Sequence, residues 1–167
     1  FSTADGMVPI GQWTHIAIVR DLGRKLLRWY RNGELVAEVA SVYPIGAVSG
    51  LPMFFGQGYV DFFSGHLAEI RLWSIARSQA QLQLDMRRRL LGSETGLAGY
   101  WPLDEGNGPI AYDRSGRGSN GSIVSAQWAA GPPIQPRSEA LGCDGANDYV
   151  SVGNPAAVQV VGDQTIE

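Results

Sequence analysis

The chain has 167 residues, 44% apolar and 17% charged, enough for one ordinary domain or two halves of neighbouring ones. Thirteen Lys and Arg against sixteen Asp and Glu leave a formal charge of −3, without the cationic surplus that neutralises many phosphates, which excludes nucleic acid as a partner. No run approaches the roughly eighteen apolar residues that span a bilayer, and 22 Gly with 9 Pro set a density of turns that favours β structure over α.

Taken in chain order, residues 12–20 form a β-branched and aromatic run after the Pro9-Ile10-Gly11 turn, which predicts a buried strand. Lys25–Arg31 and Glu34–Ala40 flank Asn32-Gly33, the strongest short signal of a hairpin, so a type I′ turn is expected there. Residues 43–58 set Met53-Phe54-Phe55 among six Gly and Pro, which predicts a short strand between two loops. Gly65–Trp73 alternates as one strand, with Ala68, Ile70 and Leu72 on one face and Glu69 and Arg71 on the other.

One helix is predicted, over residues 78–91. Ser78 caps it, Gln81 completes a capping box, Leu82, Met86 and Leu90 recur every four residues, and Gly92 ends it. Its Arg87-Arg88-Arg89 run reads as a solvated face with cations at the negative helix end. From Gly96 onward short apolar pieces alternate with turns and a polar stretch, 114–121. Gly131-Pro132-Pro133 with Pro136 reads as a stiff connector, and 140–152 as two strands joined across Asp144-Gly145-Ala146-Asn147. The chain opens on Phe1 without a charged or apolar leader and closes on Thr165-Ile166-Glu167 in mid-pattern, so it is expected to be part of a longer sequence.

Several of these segments carry a family's pattern. Trp13-Thr14-His15-Ile16-Ala17, the hairpin from Leu27 through Asn32-Gly33, and Gly65 through Arg77 with its Glu69-Ile70-Arg71-Leu72-Trp73 centre resemble strands of the laminin G-like, concanavalin A-like jelly rolls. Residues 96–106, 111–118 and 140–150 are similar to the same family's opening strands. The resemblance implies an all-β fold, a two-sheet antiparallel jelly-roll β-sandwich with one short helix, and an extracellular or cell-surface location. The order is inverted: residues 1–92 match the C-terminal half of such a jelly roll, and 93–167 the N-terminal half of the next or of a permuted one. Three arrangements stay open: a window on a longer tandem array, a permuted domain whose halves fold together, and a subunit completed by a neighbour's strand, which would satisfy unpaired edge groups.

Glucanases share this architecture and need two carboxylates about 5–5.5 Å apart for retention or about 6.5–9.5 Å for inversion. Strand alternation supplies no such pair: Arg71 and Trp73 follow Glu69 on its face, and Asp104 and Glu105 are adjacent, hence on opposite faces. His15 and His66 stand in separate strands without a ligand-spaced partner and read as core or strand-face residues; the single Cys143 reads as a small core hydrophobe and cannot build a cysteine cage. No catalytic constellation is expected. Calcium is the ionic reading that remains, because Asp144, Asn147 and Asp148 offer carboxylate, amide and carbonyl oxygens within five residues; the same residues also suit a simple Asx turn. The resemblance adds Glu69 to this set, if Ala140–Asp144 pairs with Gly65–Trp73.

Sugar binding calls for an aromatic platform beside polar groups. An outward Trp29 is one candidate, since Trp29 and Tyr30 are neighbours in a strand; Tyr59, Phe62 and Phe63 in a Gly-flanked loop are the others, or they cap the core. The resulting expectation is a non-catalytic adhesion or carbohydrate-binding module of a tandem-repeat protein, with a glycan or extracellular protein as partner. The alternative is a structural subunit of an extracellular filament, joined to neighbouring repeats or identical subunits by strand complementation.

Overall fold

The computed structural model describes residues 8–41, 48, 50–58, 60–133 and 139–167. In chain order the strands are β1 (Ile16–Asp21), β2 (Leu26–Arg31), β3 (Glu34–Ala40), β4 (Met53–Phe55), β5 (Ser64–Leu67), β6 (Ile70–Trp73), β7 (Leu97–Trp101), β8 (Ile110–Ala111), β9 (Gly121–Val124), β10 (Gln127–Ala130), β11 (Glu139–Asp144), β12 (Tyr149–Gly153) and β13 (Gln164–Ile166). Helix α1 (Gln79–Asp85) follows β6, and a short 3₁₀ turn, Ala156–Val158, precedes β13. Every pairing is antiparallel. The six-stranded sheet runs β3-β2-β1-β13-β6-β7, a second runs β10-β11-β5, and a third runs β4-β12-β9-β8.

This is the all-β concanavalin A-like sandwich, with its second layer divided in two. β11 and β12 follow each other in sequence, yet β11 pairs with β10 and β5 whereas β12 pairs with β9 and β4. Strands from both ends of the chain share every sheet: β13 lies between β1 and β6, with Ile166 opposite Ile18 and Thr165 opposite Trp73, and β7, β11 and β12 join β6, β5 and β4. Segments 1–92 and 93–167 therefore interleave within one chain.

The main core lies between the large sheet and both smaller ones, where Leu72, Ala98 and Trp101 meet Phe55, Leu141 and Val150. The other face of the large sheet carries α1, with Ala17, Val19 and Tyr30 against Leu82, and a neighbouring cluster joins Trp73, Leu97 and Tyr100 to Leu90. Two covered faces explain why β7 is buried at all five positions rather than alternating.

The Asn32-Gly33 turn has φ of 51° and 78°, the two positive values a type I′ hairpin requires. Trp29 and Tyr30 do share a strand and point to opposite faces, Trp29 beside Ile18 and Tyr30 beside Ala17. Both are nevertheless buried, at 8% and 4% exposure, so Trp29 is no outward platform.

The run Gly65–Trp73 is two strands instead of one. Glu69 takes φ 56° and donates its N–H to the Pro102 carbonyl at 3.0 Å, which turns the chain out of β5 and into β6 of another sheet. The helix stops earlier than Gly92, at a Met86 C-cap, although Ser78 and Gln81 form the expected reciprocal capping box. Its end is fixed from outside: the Arg71 guanidinium donates to the carbonyls of Asp85 at 3.0 Å and Arg88 at 2.7 Å. The triple arginine is correspondingly not one solvated face, since Arg88 pairs with Asp85 and Arg89 with Asp104.

Gly92 has a different duty. Its φ is +90°, and a Cβ there would overlap the Arg114 carbonyl oxygen, a backbone atom that no rotamer change can move. Gly92→Ala is therefore expected to destabilise the fold by more than about 1 kcal/mol, read as a lower urea midpoint at unchanged slope.

Candidate functional site

Past Phe55 the chain makes a tight loop back toward β5. Gln57 and Phe62 form an isolated antiparallel bridge, the Phe63 N–H donates to the Gly56 carbonyl, and the Gly58 N–H donates to the Asp61 carbonyl, both at 2.8 Å. Glycine makes this geometry affordable: Gly56 has φ +82° and sits close under the Asp148 carbonyl, while Gly65 leaves room for the Phe63 ring, which would lie 2.7 Å from any Cβ placed there. The result is a shallow, open pocket of about 380 Å³ lined by Gly56, Gln57, Asp61, Phe62, Phe63 and Leu67 among others.

Phe63 is 39% exposed, and no described residue bonds the exposed Asp61 carboxylate. The aromatic surface continues outward from the pocket. The Phe62 ring lies 6.3 Å from that of Tyr149, which in turn meets Phe54 edge-on at 5.6 Å and 84°. The structure thus brings Phe62 and Phe63 together on one pocket; Trp29 lies elsewhere, and Tyr59 falls outside the described residues.

Of the residues expected at a cation, Asp144, Asn147 and Asp148 share one turn and Glu69 lies away from it. β11 pairs with β5 as the resemblance implies, but with Asp144 opposite Ser64 and Leu141 opposite Leu67, so Glu69 stands beyond the far end of the pairing from Asp144. Asp148 accepts from the Asp144 N–H at 2.7 Å, and Asp144 accepts from the Ala146 N–H at 2.8 Å, the bonds of an Asx-type turn. Asn147 is exposed on that turn. Among the described residues, no three of His, Cys, Asp and Glu converge as metal ligands would. Cys143 is buried beside this turn, and its thiol is pushed up to about 11 by burial and by the negative charges of Asp148 and Asp144, which leaves it protonated and inert at neutral pH.

Glu69 belongs instead to an ionic cluster between α1 and the large sheet. The fully buried Glu167 carboxylate accepts from Arg77 at 2.9 Å and from Arg71 at 3.4 Å, and meets the His15 ring nitrogen at 3.2 Å. Arg71, 1% exposed, also donates to Glu69 at 2.9 Å, and Arg77 pairs with Asp85 while its guanidinium stacks 3.9 Å over Trp73. Burial alone would raise the Glu167 and Asp85 pKa values. The His15 bond and the cationic Arg71 and Arg77 for the one, and Arg77 and Arg88 for the other, outweigh it and hold both below the usual carboxylate range. Tyr100, whose hydroxyl donates to Glu69 at 2.8 Å, is raised chiefly by burial and then by that charge. With guanidinium groups taking up Glu69, Asp85 and Glu167, this cluster ties α1 to β6 and β13 and leaves these carboxylates occupied.

Compared with known proteins, residues 1–83 match the family profile described as the concanavalin A-like lectin/glucanases superfamily, of laminin G type. Residues 1–83 belong to that superfamily. Pappalysin-1 of Mus musculus is 31% identical over 115 residues, which covers 59% of this chain and 7% of that protein. The chain therefore spans a small fraction of the length of this curated relative. No solved structure matches. The match supports a binding-type domain; the pocket itself has to be argued from its residues. Reading the sequence singled out Phe62 and Phe63 there but missed Gln57 and Asp61. Gln57 stands between Gly56 and Gly58, which marks a tight loop but not its place beside the rings, and Asp61 reaches the rim only through the loop's backbone bonds.

Proposed function

We propose that this chain is a non-catalytic, extracellular carbohydrate-binding module and that the pocket between Gly56 and Leu67 is its site. The observation that carries this reading is the pairing of a partly exposed Phe63 ring with an Asp61 carboxylate that no described residue occupies, on a loop held by two backbone bonds of 2.8 Å. An aromatic face covers the C–H surface of a sugar ring, and a free carboxylate accepts from two adjacent hydroxyls. A loop already bonded in its final shape has little ordering entropy left to lose on binding.

A glycan array with the intact chain tests the proposal. Binding is expected, with affinity for the selected glycan reduced about tenfold or more by Phe63→Ala and similarly by Asp61→Asn. Absence of any glycan signal, or variants that bind as well as the parent, would overturn it. Because backbone N–H groups already use Asp144 and Asp148, chelation is expected to leave binding unchanged; a loss with chelator would assign a calcium to the Asp144–Asp148 turn.

The alternative, a subunit that assembles by strand complementation, draws on one feature: β13 is only three residues long, yet it occupies the middle of the six-stranded sheet. The same slot would accept a neighbour's strand. Light scattering over a dilution series is expected to return a folded monomer, whereas particles that lose β signal as they dissociate would favour assembly.

A further inference from the structure

A second pocket, also of about 380 Å³, lies between the start of β7 and the segment that leads from β12 to β13. Ala98 and Leu97 line it from the sheet, and Ala157, Val160 and Val161 line it from that segment. Its one charged side chain is Arg117, and its lining holds no carboxylate. Arg117 is exposed, and none of the described residues bonds its guanidinium; only its backbone N–H is engaged, with Ser115 at 3.3 Å.

The loop that carries Arg117 is fixed. The buried Asp113 carboxylate accepts from the backbone N–H groups of Tyr100 at 3.0 Å, Ser115 at 2.8 Å and Ser119 at 2.9 Å, and the Asp113 N–H donates to Asn120 at 2.9 Å. The Trp101 ring nitrogen adds a bond to the Ser119 carbonyl at 2.8 Å. A guanidinium presented by so constrained a loop, beside Leu, Ala and Val side chains together with the polar Ser74 and Gln159 and without a counter-charge in the lining, favours a planar anion that can take its N–H fork in two parallel bonds. With a single cation, the pocket suits a monoanion better than a phosphate dianion, and its Ala and Val lining suits an aliphatic body.

From this we infer that the Arg117 pocket is a binding site for a carboxylate carried on a small aliphatic group, either a free short-chain carboxylic acid or the C-terminus of a peptide ending in an aliphatic residue. This site is separate from the proposed sugar pocket, so either can fail without the other.

The test uses the intact chain with its Ala and Val methyl groups labelled for NMR, titrated with sodium hexanoate, with hexanamide, and with N-acetyl-Ala-Val as free acid and as C-terminal amide. Saturable shifts at Ala98, Ala157 and Val160 are expected with hexanoate or the peptide acid at millimolar concentration, and at least about tenfold weaker binding with both amides and with Arg117→Gln. Tighter binding of the peptide acid than of hexanoate would identify a chain terminus as the source, and the reverse a free acid. No saturable shift with either acid, or shifts that hexanamide and Arg117→Gln reproduce, would overturn the inference. Arg117 is exposed and outside the core, so the variant is expected to unfold at the parent's urea midpoint, which separates lost binding from lost structure.

Discussion

Glu167→Ala is expected to destabilise the fold by about 3–5 kcal/mol, because it strands two buried guanidinium groups without their shared carboxylate. Arg71 and Arg77 are 1% and 5% exposed, so neither can turn to water when Glu167 is lost. Each keeps one other carboxylate, Glu69 and Asp85 respectively, which places the effect nearer the lower end of that range. The damage should also reach α1, whose last carbonyls rest on Arg71. Arg71→Met is expected to cost a similar amount, and the two substitutions together less than the sum of both, since the second removes a charge the first has already left unpaired. Urea unfolding of the parent, the two single variants and the double variant measures that coupling. Strict additivity would show that Glu167 and Arg71 do not act on each other.

The same carboxylate predicts an acid dependence. The folded Glu167 titrates below its ordinary value, so the unfolded chain binds the proton more readily. Its contribution is fully present above the ordinary carboxylate range and is lost as pH falls through the lowered folded value. Asp85 adds in the same direction. The urea midpoint of the parent should hold from neutral pH to about pH 5 and then fall steeply toward about pH 3, whereas that of Glu167→Gln, already low, should fall less.

Much of the architecture was legible because local rules and tertiary demands coincide there. Asn32-Gly33 can hardly be anything but a hairpin turn, and Ser78 with Gln81 announces a helix start in the sequence itself. What was not legible depends on contacts distant in sequence. The end of α1 is set by Arg71, fourteen residues before Asp85 in the chain, and no pattern within 78–91 encodes it. The break at Glu69 depends on Pro102, and the burial of Trp29 is a matter of packing that strand alternation does not encode. Alternation places Glu69 and Arg71 on the face opposite Ile70 and Leu72 but does not say what covers that face; the helix that follows the strand does, and makes them part of an ionic cluster.

The candidate site divides along the same line. Phe62 and Phe63 were visible as aromatic residues in a Gly-flanked loop, which is a compositional signal. Asp61 and Gln57 become neighbours of those rings only through the Gln57–Phe62 bridge and the Gly58 to Asp61 bond, which are geometry. For Asp144 and Asp148 the sequence left a cation and an Asx turn open. The backbone bonds those carboxylates accept supply the turn's half of that choice, and the fourth expected ligand, Glu69, is committed to Arg71 and Tyr100.

Trp101→Ala is the second substitution expected to cost about 3–5 kcal/mol, here through a cavity. Trp101 is fully buried in the main core, its ring 4.9 Å from that of Phe55, and it occupies the space that a side chain on Gly99 would need. The surrounding residues come from strands in all three sheets, so the void can close only if sheets shift relative to one another. Trp101→Phe separates packing from polarity. It keeps most of the ring volume but leaves the Ser119 carbonyl without its 2.8 Å donor, a loss of about 1–3 kcal/mol for a buried acceptor. That bond joins the core to the loop carrying Arg117, so the variant should also show faster amide exchange at Ser119 and Asn120 than at β12, which shares the core but not the loop. Equal exchange at both places would mean that Asp113 alone fixes the loop. In that case Asp113→Asn, which weakens three backbone bonds at once, becomes the substitution that should release it.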